Sequence, residues 1–290
     1  FRQRKKININ HIKNEEWENG NGISVLKTKK LLNGHFILLM GDHIFDESIL
    51  VKLKNERIAD DEVMLAVDYN IETNKLVDVD DVTRVLVEEG RILDIGKNIK
   101  KYNAYDTGIF LCSPAIFSAI EESLHDDDSS LSGGIRVLAG KGKAKTFDIK
   151  DEYWIDVDDE KTHKLAEKKL LATLKKTSDG PVSRYLNRPI STRITRYLLR
   201  TDITPNHVSF FSFILAMLGA FFFFLGGYIN LVVGAILAQV ASIVDGCDGE
   251  IARLKFQATE FGGWFDAVLD CHADAFLLFV LHTCVSFSDS

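Results

Sequence analysis

Along residues 1–174, short apolar runs alternate with polar turns and amphipathic stretches, a rhythm that predicts an α/β domain with a mainly parallel sheet. Segments 36–40 and 63–67 read as buried strands, and 104–112 and 144–149 as two more. Ser113-Pro114 predicts the start of a helix, and Asp126-Asp127-Asp128-Ser129-Ser130 a solvated loop. Residues 159–176 read as a closing helix, with Leu165, Leu170, Leu171 and Leu174 on one side and lysines opposite. The pattern then changes. No Asp, Glu, Lys or Arg occurs in 208–244, and a helix needs about 20 apolar residues to cross a bilayer. Three spans are predicted, 208–229, 231–255 and 259–287. The chain therefore divides into an α/β soluble domain (1–176), a basic juxtamembrane linker with an interfacial helix (177–206) and an all-α transmembrane helical domain (207–290).

Charge sharpens this division. Between Lys161 and Arg200 eleven Lys and Arg stand against two acidic residues, Glu167 and Asp179, so the positive-inside rule puts this face and the soluble domain in the cytoplasm. Within the linker Ile190, Ile194, Tyr197 and Leu198 share one helix side while Arg193, Arg196 and Arg200 share another, the pattern of a helix lying in the membrane interface. Those arginines read either as snorkelling anchors or as contacts for a phosphorylated substrate. After Thr204-Pro205, Asn206 is placed to cap the next helix. The net charge of −7 is concentrated before residue 160, which does not favour nucleic-acid binding. Four cysteines in 290 residues form no disulfide framework and suit a reducing compartment.

Carboxylates are costly inside a bilayer, so Asp245, Asp248, Asp266 and Asp270 need a partner, and a divalent cation fits. Asp245 and Asp248 are three apart on one predicted helix, and Asp266 and Asp270 four apart on the next, so each pair faces one side. Two such helices side by side would gather four hard oxygen donors, a set for Mg2+ or Mn2+ rather than zinc. Gly246, Gly249, Ala252, Gly262 and Gly263 leave room for close approach. Asp274 would either extend this acidic face or hydrogen-bond to it.

The spacing D-x-x-D-G-x-x-A-R, eight residues, then G-x-x-x-D-x-x-x-D is filled by Asp245, Asp248, Gly249, Ala252, Arg253, Gly262, Asp266 and Asp270, and it resembles the signature of the CDP-alcohol phosphotransferase family. The resemblance implies attack of an acceptor hydroxyl on the β-phosphorus of a CDP-alcohol, with CMP leaving. It makes Asp245, Asp248 and Asp266 metal ligands and Asp270 the general base, with a possible share in the metal. Gly249, Ala252, Arg253 and Gly262 would receive the CDP-alcohol. Cys271 and His272 depart from the Arg-Tyr pair expected after the last aspartate, which weakens inference about the acceptor side.

In the first half, Gly41-Asp42-His43 follows a buried strand, Asp106-Thr107-Gly108-Ile109-Phe110 lies midway, and Trp154-Ile155-Asp156-Val157-Asp158 precedes the closing helix. In that order these segments resemble the sugar-phosphate nucleotidyltransferase family, with its Rossmann-like fold. The resemblance assigns metal to Asp42 and Asp156, with Asp158 as alternative, and acceptor contact to the Gly108 backbone. The family's basic, glycine-rich nucleotide loop is expected well upstream of Asp42, where only 41 residues stand; Gly20-Asn21-Gly22 lacks its Arg and Lys. The membrane helices of the CDP-alcohol phosphotransferase family are also only partly represented, about three being present, so truncation at both ends is expected.

Together the two halves resemble the bifunctional group that couples inositol-1-phosphate cytidylyltransferase to di-myo-inositol phosphate phosphate synthase. That resemblance implies CTP and inositol phosphate as substrates, CDP-inositol as the CDP-alcohol passed from the first half to the second, Arg193 and Arg196 as acceptor contacts, a lipid bilayer as surroundings, and a homodimer. Two alternatives stay open. One is a phospholipid synthase of the phosphatidylinositol phosphate type, using CDP-diacylglycerol beside an inactive soluble domain; the other is a soluble domain that serves as a regulatory module.

Overall fold

The computed structural model describes residues 9–74, 77–79, 81–174 and 180–288, with side chains to 282. The chain forms two compact units, Ile9–Glu167 and the residues from Lys168 onward. The expected boundaries at 176 and 177 lie outside the described residues.

The first unit begins with α1 (Asn21–Leu26), β1 (Phe36–Leu39), β2 (His43–Phe45) and α2 (Glu47–Leu53). It continues through β3 (Val63–Asp68), β4 (Arg84–Glu88), β5 (Arg91–Gly96), β6 (Ala104–Cys112), α3 (Ala115–Ser123), α4 (Leu131–Gly140), β7 (Ala144–Asp148) and β8 (Trp154–Asp156) to α5 (Glu160–Thr173). Six strands form one sheet in the order β1-β6-β3-β7-β5-β4, and β2 and β8 form a separate ribbon.

The sheet is mixed, which corrects the expectation of a mainly parallel one. Only β3 and β7 run parallel among the described pairs; β6 is antiparallel to both β1 and β3. Unbroken apolar runs reported burial on both faces, not strand direction. Val63, Leu65 and Val67 pack on one side with Ile116, Ile120, Leu131 and Ile135, while Met64 and Ala66 pack on the other with Ile49, Leu53, Tyr105 and Trp154. The β4–β5 connection is antiparallel by construction, because Glu89 and Gly90 have φ of 48° and 74°, the left-handed pair that a two-residue hairpin turn demands.

Segment 126–130 is more structural than a solvated loop. Asp128 accepts from the Ser130 backbone N–H at 3.0 Å and hydroxyl at 2.6 Å and pairs with Arg136, while the Ser130 hydroxyl caps α4 by accepting from Gly133 N–H at 3.0 Å.

In the second unit, α6 (Arg188–Leu198) follows an irregular turn at Ser183–Asn187, and α7 (Pro205–Leu225), α8 (Tyr228–Leu254) and α9 (Glu260–Ser288) form a bundle. Among the described residues, α7 and α8 are the two helices long and apolar enough to cross a membrane. The expected third span forms the helix α9, but Asp266, Asp270 and Asp274 interrupt its apolar character. At the start of α7 the cap position is held by Thr204, whose N–H donates to His207 Nδ1 at 3.5 Å; Pro205 takes the first helical position, which moves Asn206 into the first turn. Gly219 and Gly234 face each other where α7 crosses α8: a Cβ at Gly234 would lie 2.7 Å from the Phe223 ring and 2.9 Å from the Gly219 carbonyl oxygen.

One buried carboxylate ties the ribbon to the sheet. Asp68, 2% exposed at the end of β3, accepts from Asn70 N–H at 2.8 Å, Asn74 Nδ2 at 2.6 Å and the Trp154 indole N–H at 3.0 Å. Asp68→Ala leaves that indole donor unpaired in the core, so a loss of about 1–3 kcal/mol in unfolding free energy is expected from chemical denaturation of the intact protein.

Candidate functional site

Each unit gathers carboxylates, by different local means. In the first, β2 and β8 pair antiparallel with His43 directly opposite Asp156, so two residues distant in sequence become cross-strand neighbours. Asp42, in the turn before β2, completes the group: ligand atoms of Asp42, His43 and Asp156 lie within 4.8 Å of one another. His43 Nε2 is 3.4 Å from Asp156 Oδ1 and 3.8 Å from Asp42 Oδ1, and its Nδ1–H donates to the Thr107 carbonyl oxygen at 2.6 Å. Burial opposes a charge on His43, but the Asp156 carboxylate and the Thr107 carbonyl outweigh it and push the ring up to about 9. Burial likewise resists ionisation of Asp156, and the facing imidazolium overcomes it, holding that carboxyl below its usual range. Burial first, then the Asp156 and Asp81 charges, raise Asp158, which lies outside the three-residue group.

A bulge in β6 shapes this corner. Leu65 pairs with Phe110 but Val67 with Asp106, so β6 carries extra residues at Thr107-Gly108. Gly108 has φ of 72°, its N–H donates to Asp106 Oδ1 at 2.7 Å, and its carbonyl accepts from Met40 N–H at 3.0 Å. Both backbone groups are thus engaged inside the protein, and the visible role of Gly108 is steric. A Cβ there would stand 2.4 Å from His43 Nδ1. Asp106 is buried, and that burial pushes it up to about 6 against the Gly108 N–H and the His43 charge. Sequence reading passed over His43 and Asp106, although both sit inside the quoted motifs.

In the helical unit, Asp245 and Asp248 lie on α8 and Asp266 and Asp270 on α9. Ligand atoms of Asp245, Asp266 and Asp270 lie within 4.8 Å of one another; Asp248, expected as a ligand beside them, is not in this group and shares a cleft with Asp266 instead. Asp248 is held by the Ser209 hydroxyl and the Gly249 N–H, and Asp245 accepts from the Ser212 hydroxyl at 3.4 Å. These serines, 3% and 5% exposed on α7, escaped the sequence reading; two serines three apart in an otherwise apolar span were the available signal. α9 opens with Thr259, whose hydroxyl accepts from Gly262 N–H at 2.9 Å, which fixes where Asp266 begins its turn.

Two clefts flank the acidic group. One is lined by Asp248, Gly249, Ala252, Arg253, Gly262 and Asp266, which unites the four residues expected to receive a CDP-alcohol with two of the aspartates. The other is lined by Asp245, Asp270, Asp274, Ser212 and Ser242. Arg193 and Arg196 are exposed on α6 and line neither cleft. Asp156 Oδ1 is ion-paired with His43 at 3.4 Å, whereas Asp266 Oδ1 is buried with no hydrogen-bond partner among the described residues. An acceptor-only atom in that condition, beside other hard oxygens, fits a divalent cation.

Residues 202–288 match the family described as CDP-alcohol phosphatidyltransferase. The "Bifunctional IPC transferase and DIPP synthase" of Aquifex aeolicus is 36% identical over 269 residues, 92% of this chain and 59% of that protein. The protein of the same name from Thermococcus kodakarensis is 34% identical, covering 97% of this chain and 62% of its own length. The chain thus spans about three-fifths of these relatives. The "Archaetidylinositol phosphate synthase" of Pyrococcus horikoshii is 32% identical over 87 residues, 30% of this chain and 45% of its own. Among solved structures, the inositol-1-phosphate CTP transferase from T. maritima shares 28% identity with a TM-score of 0.48, covering 54% of this chain and 63% of that one.

Gly108→Ala forces a methyl group into the His43 ring at a left-handed φ. A destabilisation of about 1–3 kcal/mol is expected in denaturant unfolding, with a shifted His43 imidazole resonance by NMR. An unmoved resonance would show that the ring is held without Gly108.

Proposed function

We propose that this chain is the joined portion of a two-step enzyme. A cytidylyltransferase unit makes CDP-inositol from CTP and inositol 1-phosphate, and a CDP-alcohol phosphotransferase unit transfers its phosphoinositol group to a second inositol 1-phosphate. The observation that carries the second step is the cleft in which Gly249, Ala252, Arg253 and Gly262 share walls with Asp248 and Asp266. The similarity to the bifunctional relatives, which runs through both units, supports the pairing of the two steps. It also disfavours the phospholipid-synthase alternative, whose relative matches only 87 residues.

In this reading Asp245, Asp248 and Asp266 hold Mg2+ or Mn2+ with a share from Asp270, and Asp42 and Asp156 hold one in the first unit, with His43 beside them. The ion, when bound, neutralises pyrophosphate oxygens and stabilises charge on the reacting phosphorus. Everything else falls to the protein. Ser209 and Ser212 orient the carboxylates, and the glycines let the nucleotide approach α8 and α9. Asp270, exposed at the mouth of the second cleft, takes the proton from the acceptor hydroxyl as its oxygen bonds to the β-phosphorus. The bond from that phosphorus to the CMP oxygen breaks, and CMP leaves. Arg193 and Arg196 supply positive charge for the anionic acceptor. The bilayer is supported by α7 and α8, the cytoplasmic side by the basic linker, and a homodimer by the family resemblance alone.

The test uses the intact protein in lipid vesicles with Mg2+, following CMP release from CDP-inositol with inositol 1-phosphate as acceptor. Release is expected to fall at least about a hundredfold in Asp270→Asn and to stop on chelation of the metal, the range for loss of a general base being about 10²–10⁴. Turnover of CDP-diacylglycerol in place of CDP-inositol would overturn the substrate assignment and leave the carboxylate site standing.

A further inference from the structure

α8 carries a second buried acid, Glu250, that the acidic site does not use. It is wholly buried, and every one of its described partners comes from α6. Arg188 Nη1 donates to Oε1 at 2.9 Å, the Ser191 hydroxyl donates to the same oxygen at 2.8 Å, and the Thr195 hydroxyl donates to Oε2 at 2.7 Å. Arg188, Ser191 and Thr195 are themselves 9%, 1% and 0% exposed. An ion pair this deep gives little net stability against an apolar replacement, but its directional bonds choose one arrangement over its neighbours.

The same contact surface is fastened at both ends. Near the start of α6, Asn187 donates from Nδ2 to the Ser242 hydroxyl at 3.1 Å and accepts from Gln239 Nε2 at 2.7 Å. Past its end, Lys255 Nζ donates to the carbonyl oxygens of Thr201 at 2.5 Å and Ile203 at 3.0 Å. Between them Gly246 faces α6, the position of a Cβ there lying 3.7 Å from Ser191 Oγ, ordinary contact distance. Gln239, Ser242, Gly246 and Glu250 therefore form one stripe of α8 toward α6, with Ser242 also at the edge of the second cleft, while Asp245, Asp248, Gly249 and Ala252 look toward the clefts. With Ser191 and Thr195 committed inward, Arg193 and Arg196 are left on the exposed side of α6.

We propose that Glu250 is a positioning residue that locks α6 onto α8 in a single rotational register, and so sets the direction in which Arg193 and Arg196 meet an anionic acceptor. The helical lock stands on the geometry alone; its consequence for the acceptor rests on the function proposed above.

Two measurements on the intact protein in vesicles test this. In Glu250→Gln, a near-isosteric change that removes the charge, hydrogen exchange of the Arg188–Leu198 amides is expected to quicken at least about tenfold while that of α7 stays put; unchanged exchange overturns the lock. With CDP-inositol saturating, the same variant is expected to raise the KM for inositol 1-phosphate at least about fivefold with kcat within about threefold. An apolar double variant, Arg188→Leu with Glu250→Leu, separates positioning from packing. It restores burial without directional bonds, so its KM should stay raised, and a KM equal to the parent's would overturn the orienting role. If the parent turns over none of these substrates, the proposed function fails and the exchange comparison still decides the lock.

Discussion

The constraint on which the helical unit depends is the gathering of like charges in an apolar bundle. Asp245, Asp266 and Asp270 present oxygens within 4.8 Å of one another between helices whose other residues are largely aliphatic or aromatic. Asp245 and Asp266 are half-buried and Asp270 is exposed, so desolvation weighs on the first two, and mutual repulsion adds to it for all three. The surroundings supply polar donors from α7, Ser209 and Ser212, and leave Asp266 Oδ1 without one. A proton shared within the group or a bound cation would offset the remainder, and the function proposed above assigns that part to a divalent ion. The first unit meets the same constraint differently. There His43, placed opposite Asp156 by a two-stranded ribbon, provides a positive charge from within the protein.

How much of this is legible in the sequence depends on whether a feature is local. Helix periodicity is local, and so spacing alone puts 245 and 248, or 266 and 270, on shared faces. Segments 36–40, 63–67 and 104–112 are likewise legible as buried strands, because hydrophobic runs report burial. They do not report direction, and β6 is antiparallel to both of its long neighbours. Register is beyond reach for the same reason. The bulge at Thr107-Gly108 depends on how β3 and β6 pair, and it decides that Gly108 meets His43 rather than solvent.

Residues whose partners come from another helix are the least legible. Ser209 and Ser212 look like polar interruptions of an apolar span, and Glu250 like one more acid near a motif rich in them. Their meaning comes from α8 and α6 respectively, whose facing sides no single-chain pattern specifies. Arg193 and Arg196 show the converse. Periodicity places them on a common side of α6, but neither lines the described clefts.

α8 is then best understood as a helix with two polar faces set by separate physical demands. On one face stand Asp245 and Asp248, whose oxygens, in the function proposed above, must stay open to an ion, because an oxygen already bonded to the protein is a poorer ligand for it. On the other, Glu250 must be fully satisfied, because an unpaired charge at that depth would be among the most costly defects the bundle could contain. A helix cannot rotate to improve one face without disturbing the other, since a single residue, Gly249, separates Asp248 from Glu250. The satisfied face thereby fixes the orientation of the unsatisfied one, and α6, which supplies the satisfying groups, becomes part of the architecture of a site it does not line.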